Sequence, residues 1–228
     1  MNVVLTREVG HNDSLRAWLG DGLVVREVPL TETHFLDPSS VAHSVASLED
    51  YGRFESLVIT SARTSLYVDL ARAALANDAD IFSVGAATTQ VLVHHGLTPR
   101  AQSPSRALDL SPLITRGPVL FLGASDAREE LADDLGSRGL GVSLVACYET
   151  RPAALRAEDR DVLEVADVVL IGAPSAWSVA RELVAASTWV IVPGVTTGEV
   201  VRRDHQRVLE GWGPALGDVV RSLASSTP

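Results

Sequence analysis

The 228-residue sequence contains no lysine; all 19 of its fixed side-chain cations are arginine. That excludes a Schiff-base lysine, a pyridoxal-phosphate anchor and a P-loop lysine. Anions must be met by arginine, hydroxyls, backbone N–H groups and helix N-termini. Cysteine occurs once, Cys147 in VSLVACYET, so no disulfide can form within the chain and a buried, inert thiol is expected. The six histidines show no ligand spacing. His94 and His95 are adjacent and so face different sides of a helix, and no metal site is expected. Apolar runs such as VVLI before Gly172 stop far short of the ~20 residues that span a bilayer, so no membrane association is expected. Positive charge is scarce as well. The formal net charge is −10 with no basic stripe, which argues against nucleic acid as a partner. The opening MNVVLTREVGHND reads as a strand rather than a basic stretch followed by an apolar one, so a cytoplasmic protein is expected.

What is present is a core and a rhythm. Apolar residues make up 46% of the chain, enough for one large domain or two small ones. Short apolar runs (VVLT, LVVREVPL, FESLVIT, DIFSVG, PVLFLG, VSLVACYET, ADVVLIG, TWVIVPG), with the weaker strand candidates PRAQSP and RVLEGW, alternate with stretches of helical period. Continuous apolar strands alternating with helices predict a parallel α/β architecture buried on both faces. Two polar, proline-containing stretches, residues 31–40 and 149–159, read as crossings between two sheets. Ten expected strands then suggest two sheets of five.

The pattern repeats. LVITSARTSLYVDLARA (57–73) parallels VVLIGAPSAWSVARELV (168–184), and FSVGAATTQVL (82–92) parallels VIVPGVTTGEV (190–200). Each half carries strand, small polar turn, helix, strand, Gly-x-x-Thr, helix, as expected of two related α/β domains. In parallel sheets, ligands bind beyond the C-terminal strand ends. The turns at Thr60–Ser61, Gly85–Thr88, Ala173–Ser175 and Gly194–Thr197 all fall there. Glycine permits a tight turn and the threonines are expected to cap the helices that follow. Each turn alone is an ordinary helix start; together they predict a cleft lined with N–H and hydroxyl donors. Tyr148 is one of three tyrosines and ends a strand just before the return crossing. Strict alternation places it on one side with Leu144 and Ala146, where its phenol could donate a proton.

These residues resemble the uroporphyrinogen-III synthase family over nearly the whole chain: VVLTR, LVITSARTS, SVGAATTQVLVHHG, VACYETRP and VPGVTTGEVV, in that order. The resemblance implies two flavodoxin-like parallel-sheet domains, the second inserted into the first and joined to it by a two-strand linker. Their expected bounds are 1–33 plus 153–228 and 34–152. It implies a cofactor-free lyase that dehydrates and cyclises hydroxymethylbilane, an anionic linear tetrapyrrole, with inversion of the last pyrrole ring. A monomer that transiently contacts the preceding deaminase is expected. A non-catalytic tetrapyrrole-binding or regulatory homologue is the alternative. Carried over by position, Tyr148 matches the tyrosine thought to help the hydroxyl leave. Arg7, Ser61, Thr88, Ser175 and Thr197 match substrate-binding positions, with Thr197 ranked above Thr88. The sequence departs from the family pattern at Arg63–Thr64, where asparagine usually follows the first-turn serine, at Ala173, where serine is common, at Pro193 before Gly194, and in the acidic loop GASDAREE after PVLFLG.

Overall fold

The computed structural model describes residues 1–48, 53–104, 106–127 and 129–224. The chain opens with β1 (Asn2–Leu5), α1 (Asp13–Leu19) and β2 (Val24–Glu27). A crossing strand β3 (Thr31–Phe35) leads to α2 (Pro38–Ala46), β4 (Phe54–Ile59), a 3-10 segment Ala62–Tyr67, α3 (Val68–Ala74), β5 (Leu75–Val84) and α4 (Ala86–His94). Then come β6 (Ala101–Ser103), a 3-10 segment Ala107–Leu113, β7 (Val119–Ala124), α5 (Glu130–Ser137) and the long return strand β8 (Val142–Pro152). The chain closes with α6 (Ala157–Glu164), β9 (Val168–Leu170), α7 (Pro174–Ala180), β10 (Trp189–Val192), α8 (Val195–Val201), β11 (Val208–Glu210) and α9 (Leu216–Ala224). The helix expected over 41–51 ends at Ala46, and residues 49–51 of that expectation lie outside the described residues.

Two compact units result: Met1–Thr33 with Thr150–Pro228, and His34–Glu149. In the discontinuous unit a five-stranded sheet runs in the order β11-β10-β9-β1-β2, and every pairing is parallel. Numbered within the unit, this is 2-1-3-4-5, the flavodoxin order. In the inserted unit the order is β3-β8-β7-β4-β5-β6, with parallel pairings from β8 to β6. Leaving β3 aside, it reads 3-2-1-4-5, the dinucleotide-binding order short of its sixth strand. The expectation of two flavodoxin-like sheets is therefore corrected for the inserted unit. Periodicity reports that strands and helices alternate, but not on which side of the first strand the second and third are laid.

The expected pair of five-stranded sheets is also corrected, because the inserted sheet has six strands. The sixth is β3, which the proline and polar residues of TETHFLDPSS disguise as a linker. Pro38 in fact opens α2, where its missing N–H costs nothing. Asp37 caps that helix, its carboxylate accepting from the N–H groups of Ser39 at 2.9 Å and Ser40 at 3.3 Å, which satisfies two of the helix's unpaired donors. β3 lies beside β8. Leu36 N–H donates to the Cys147 carbonyl, and Ala153 N–H to that of Leu30, each at 2.9 Å. Positions advance on one strand as they retreat on the other, the mark of an antiparallel pair.

Each sheet is buried on both faces, and alternate residues of each strand divide between them. Val4, Val169, Ile171, Val190 and Val192 join one cluster of the discontinuous unit, while Val3, Leu5, Val168, Leu170 and Ile191 join the other. In the inserted unit Leu57, Ile59, Leu120 and Leu122 pack on one face and Val58, Phe82, Val119 and Phe121 on the other. Side chains of this size contribute roughly 1.5–3 kcal/mol each when fully buried. The rigid sheets fix where each strand ends, and so where the turns of interest stand.

Candidate functional site

At the C-terminal edge of the discontinuous sheet, Thr6 ends β1 inside the core, 1% exposed, its hydroxyl donating to the Leu170 carbonyl at 2.5 Å. The tie draws the ends of β1 and β9 together. Arg7 then emerges, and its aliphatic stem passes 3.6 Å from where a Cβ on Gly172 would stand. Ser175 is exposed on the first turn of α7. That helix starts from Ala173 with no side-chain cap, which is what the departure at Ala173 removes. Thr197 follows on the next strand end, buried in the first turn of α8. Arg7, Ser175 and Thr197 thus stand at the ends of the adjacent strands β1, β9 and β10.

Behind Arg7 lies a buried polar knot. Asn12, 1% exposed, donates through Nδ2 to the Arg7 carbonyl at 3.2 Å and to Glu27 at 3.1 Å. Glu27 also accepts from Arg16 Nε at 2.5 Å. Partial burial opposes ionisation of Glu27, but the hydrogen bonds from Arg16 and Asn12 outweigh it and hold the carboxyl below its usual range. Asn12 Oδ1 is the one sealed side-chain polar atom without a partner among the described residues.

In the inserted unit, Ser61 follows β4 and caps the 3-10 segment, its hydroxyl accepting from Arg63 N–H at 3.2 Å. Its carbonyl accepts from the Thr64 hydroxyl at 2.8 Å. Ser61 therefore has a structural task, and so does the Thr64 that stands in the departing position. Thr88 lies in the first turn of α4, 3% exposed. Both threonines of the Gly-x-x-Thr turns fall at the third helical position rather than at the cap. The caps are Gly85 and Gly194, and neither makes a side-chain bond, so the expectation that these threonines cap is corrected. The two glycines also differ. Gly85 has φ 80°, a left-handed conformation that favours glycine. Gly194 has φ 173°, extended backbone open to any residue.

Tyr148 corrects the expectation of alternation. The pairing of β7 with β8 sets Gly123 against Ala146 and Ala124 against Tyr148, so Cys147 is an extra residue. A bulge of this kind reverses the side taken by everything after it. Tyr148 therefore joins Val145 and Cys147 in one core cluster, while Leu144 is 40% exposed. Two neighbours hold the Tyr148 ring. Arg63 Cζ lies 5.8 Å from its centroid, and the Phe35 ring stands 6.5 Å away, tilted by 59°. Both distances fall in the attractive range for a cation on an aromatic face and for a tilted aromatic pair. The Tyr148 hydroxyl has no hydrogen-bond partner among the described residues and is not among their sealed atoms.

Tyr67 makes the contrast. It is fully buried, and its hydroxyl donates to the Leu36 carbonyl at 2.6 Å. Burial, then the nearby Cys147 and Asp37, raises its pKa above the usual phenol value. Burial likewise pushes the Cys147 thiol up to about 12, partly offset by a backbone hydrogen bond at Gly123. Both groups stay neutral and inert near pH 7.

Arg63 ties the Ser61 turn to Tyr148 across the intervening strand, a link that sequence reasoning missed. The sequence marks Arg63 as a departure from pattern, without indicating what it touches. Phe35 was also missed, because its segment read as linker. Among the described residues no group of three or more His, Cys, Asp or Glu could hold a metal ion, and no helix is long and apolar enough to cross a membrane.

A sequence model described as uroporphyrinogen-III synthase HemD matches residues 17–209. No curated protein matches the chain. Solved structures do. A mutant uroporphyrinogen III synthase from Thermus thermophilus is 15% identical with a TM-score of 0.66, covering 98% of this chain and 97% of its own. Uroporphyrinogen-III synthetase from Helicobacter pylori is 15% identical with a TM-score of 0.64, covering 97% and 99% respectively. The wild-type Thermus thermophilus enzyme is 16% identical with a TM-score of 0.53, covering 98% and 96%. At these identities the likeness establishes the fold.

Proposed function

The chain belongs to the uroporphyrinogen-III synthase family, and from that premise we propose that it dehydrates and cyclises hydroxymethylbilane to uroporphyrinogen III as a cofactor-free lyase of tetrapyrrole biosynthesis. We read the two units as domains, the second inserted into the first, with the discontinuous one flavodoxin-like. The protein acts in the cytoplasm as a monomer and receives its substrate through transient contact with the preceding deaminase.

The chemistry asks little of a strong nucleophile. An electron-rich pyrrole expels a hydroxyl from its own methylene group readily, so placing the group and giving it a proton are the main tasks. Tyr148 supplies that proton. The C–O bond breaks with its electron pair on oxygen, the phenol proton completes a water molecule, and the pyrrole delocalises the positive charge. Inversion of the last ring takes two bonds formed and one broken. The methylene cation joins the last pyrrole at its already bridged α-carbon. The old bridge bond there breaks and leaves the positive charge on the neighbouring pyrrole's methylene. That methylene re-bonds at the free α-carbon, which loses the one proton that restores the phenol. The balance is loss of one water.

One observation supports the catalytic reading: a tyrosine whose ring is packed but whose hydroxyl makes no hydrogen bond among the described residues. Each unit offers its own donors for a substrate carboxylate: Arg7, Ser175 and Thr197 in the discontinuous one, Ser61 and Thr88 in the inserted one. Each adds little alone, since a helix N-terminus stabilises a carboxylate by roughly 0.3–1 kcal/mol at exposed sites. The formal charge of −10 does not prevent this, because salt screens charges beyond ~8 Å. The test is to supply nascent hydroxymethylbilane from a deaminase and resolve the uroporphyrin isomers. Isomer III is expected. Isomer I alone, the product without enzyme, overturns the reading in favour of a non-catalytic homologue.

A further inference from the structure

Phe35 is 49% exposed, although it is an aromatic residue on a strand of the inserted sheet. It stands beside Tyr148, the proposed proton donor, with ring centroids 6.5 Å apart. Arg63 places a fixed positive charge on the same phenol ring at 5.8 Å. Three chemistries therefore meet within one unit: an open aromatic surface, an unpartnered hydroxyl and a guanidinium. The ligand they complement is a flat, electron-rich ring that carries a leaving oxygen and anionic arms. A guanidinium can meet a carboxylate in a planar fork, and an exposed aromatic ring can take a second ring against it.

We infer that Phe35, Tyr148 and Arg63 form the subsite for the hydroxymethyl-bearing pyrrole ring, with Phe35 contacting the ring itself. The inference rests on the cyclising reading above and adds to it where the reacting ring sits. In this arrangement Phe35 contacts the ring equally in the bound substrate and in the transition state, beside the Tyr148 phenol that meets its hydroxyl. The guanidinium of Arg63 fixes the phenol ring from the Ser61 turn and faces the ring's carboxylate arms. Phe35 is a binding residue, so its loss should move KM and leave kcat nearly unchanged.

The experiment is steady-state kinetics on hydroxymethylbilane with three substitutions of Phe35, each checked for an unchanged melting temperature. Phe35→Ala is expected to raise KM about fivefold, within the range of ring–ring contacts, with kcat within about twofold. Phe35→Tyr, which keeps the flat ring, should restore KM to within about twofold of wild type. Phe35→Leu keeps apolar bulk without the ring and should leave KM raised about threefold. An unchanged KM in Phe35→Ala overturns the subsite while wild-type isomer III formation leaves the cyclising reading intact. Equal rescue by leucine and tyrosine also overturns it, because bulk alone would then be enough. If wild type makes only isomer I, the reading itself fails and the subsite fails with it.

Discussion

The two units divide the aromatic residues between them. All four tryptophans, Trp18, Trp177, Trp189 and Trp212, lie in the discontinuous unit, whereas all three tyrosines and all four phenylalanines lie in the inserted one. Their sheets also differ in strand order. Both nevertheless end a strand in Gly-x-x-Thr and place the threonine in the same helical position. A shared turn on two different sheets teaches that what recurs is a local solution for presenting donors at a strand end. The proposed proton donor does not recur: the inserted unit has Tyr148, and the discontinuous unit has no tyrosine to match it.

The sharpest way to break that asymmetry is Tyr148→Phe. A positioned general acid is worth about 10²–10⁴ in rate, and we expect kcat to fall about 10²-fold. The melting temperature should hold within about 1 °C, because the lost hydroxyl has no partner among the described residues. Tyr67→Phe should do the opposite. It leaves the Leu36 carbonyl without its donor, costing about 1–3 kcal/mol of stability, and spares turnover. Unchanged kcat in Tyr148→Phe would remove the inserted unit's special role.

Next in size is the threonine pair. Thr197→Ala should raise KM about tenfold, the loss of one hydrogen bond to a charged group, and Thr88→Ala less than about threefold. The turn at Thr88 is already committed to its own unit. Gly85 N–H donates to the Ser103 carbonyl, and the neighbouring Thr89 hydroxyl is engaged by Ser83 and Gln102, both at 2.7 Å. Equal losses measured in the two variants would make the turns interchangeable and undo the ranking.

These contrasts mark where sequence reading stops. The alternation of strands and helices, the positions of the donor turns and Tyr148 as a candidate were all legible, because each is written in local pattern. The side taken by Tyr148 was not. A bulge is a property of two strands in register, and nothing in VSLVACYET announces that Cys147 is the extra residue. β3 was hidden for a similar reason. TETHF is polar by composition and becomes a strand through its place beside β8. The link from Arg63 to Tyr148 joins residues far apart in the chain, and periodicity carries no information about such pairs.

The two glycines give a smaller and purely structural test. No atom lies within 4 Å of a Cβ added at either position, so crowding plays no part and backbone conformation decides. Alanine at Gly85 must adopt φ 80°, at a cost of roughly 1–2 kcal/mol. A protein of this size should then melt about 2–8 °C lower. Alanine at Gly194 meets no such strain and should melt within about 1 °C of wild type, or slightly higher through reduced freedom of the unfolded chain. A matching drop in both variants would mean that the turns are conformational equals after all.

The smallest expected effect is a difference in how pH weakens each unit. Glu27 and Asp159 in the discontinuous unit, and Asp37 in the inserted one, have carboxyl pKa values held low. A folded-state pKa below the unfolded value gives stability that is present above the unfolded carboxylate range, near 4, and lost as pH falls through the folded value. Acid should therefore weaken both units. Alkali should not. Cys147, pushed up to about 12 by burial, and Tyr67, raised chiefly by burial, both lie in the inserted unit. A raised pKa gives stability that is whole below the unfolded value, about 8.5 for a thiol, and lost as pH climbs toward the folded one. The sequence supplies a separate probe for each unit: tryptophan emission follows the discontinuous unit alone, and the single thiol follows the inserted one. Between pH 7 and pH 10, the denaturant concentration at which Cys147 becomes open to alkylation should fall, while the tryptophan transition moves less. Cys147→Ala, followed by circular dichroism, should reduce the alkaline loss. If both transitions shift together in wild type, the units unfold as one, and the contrast between them ends at the level of the site.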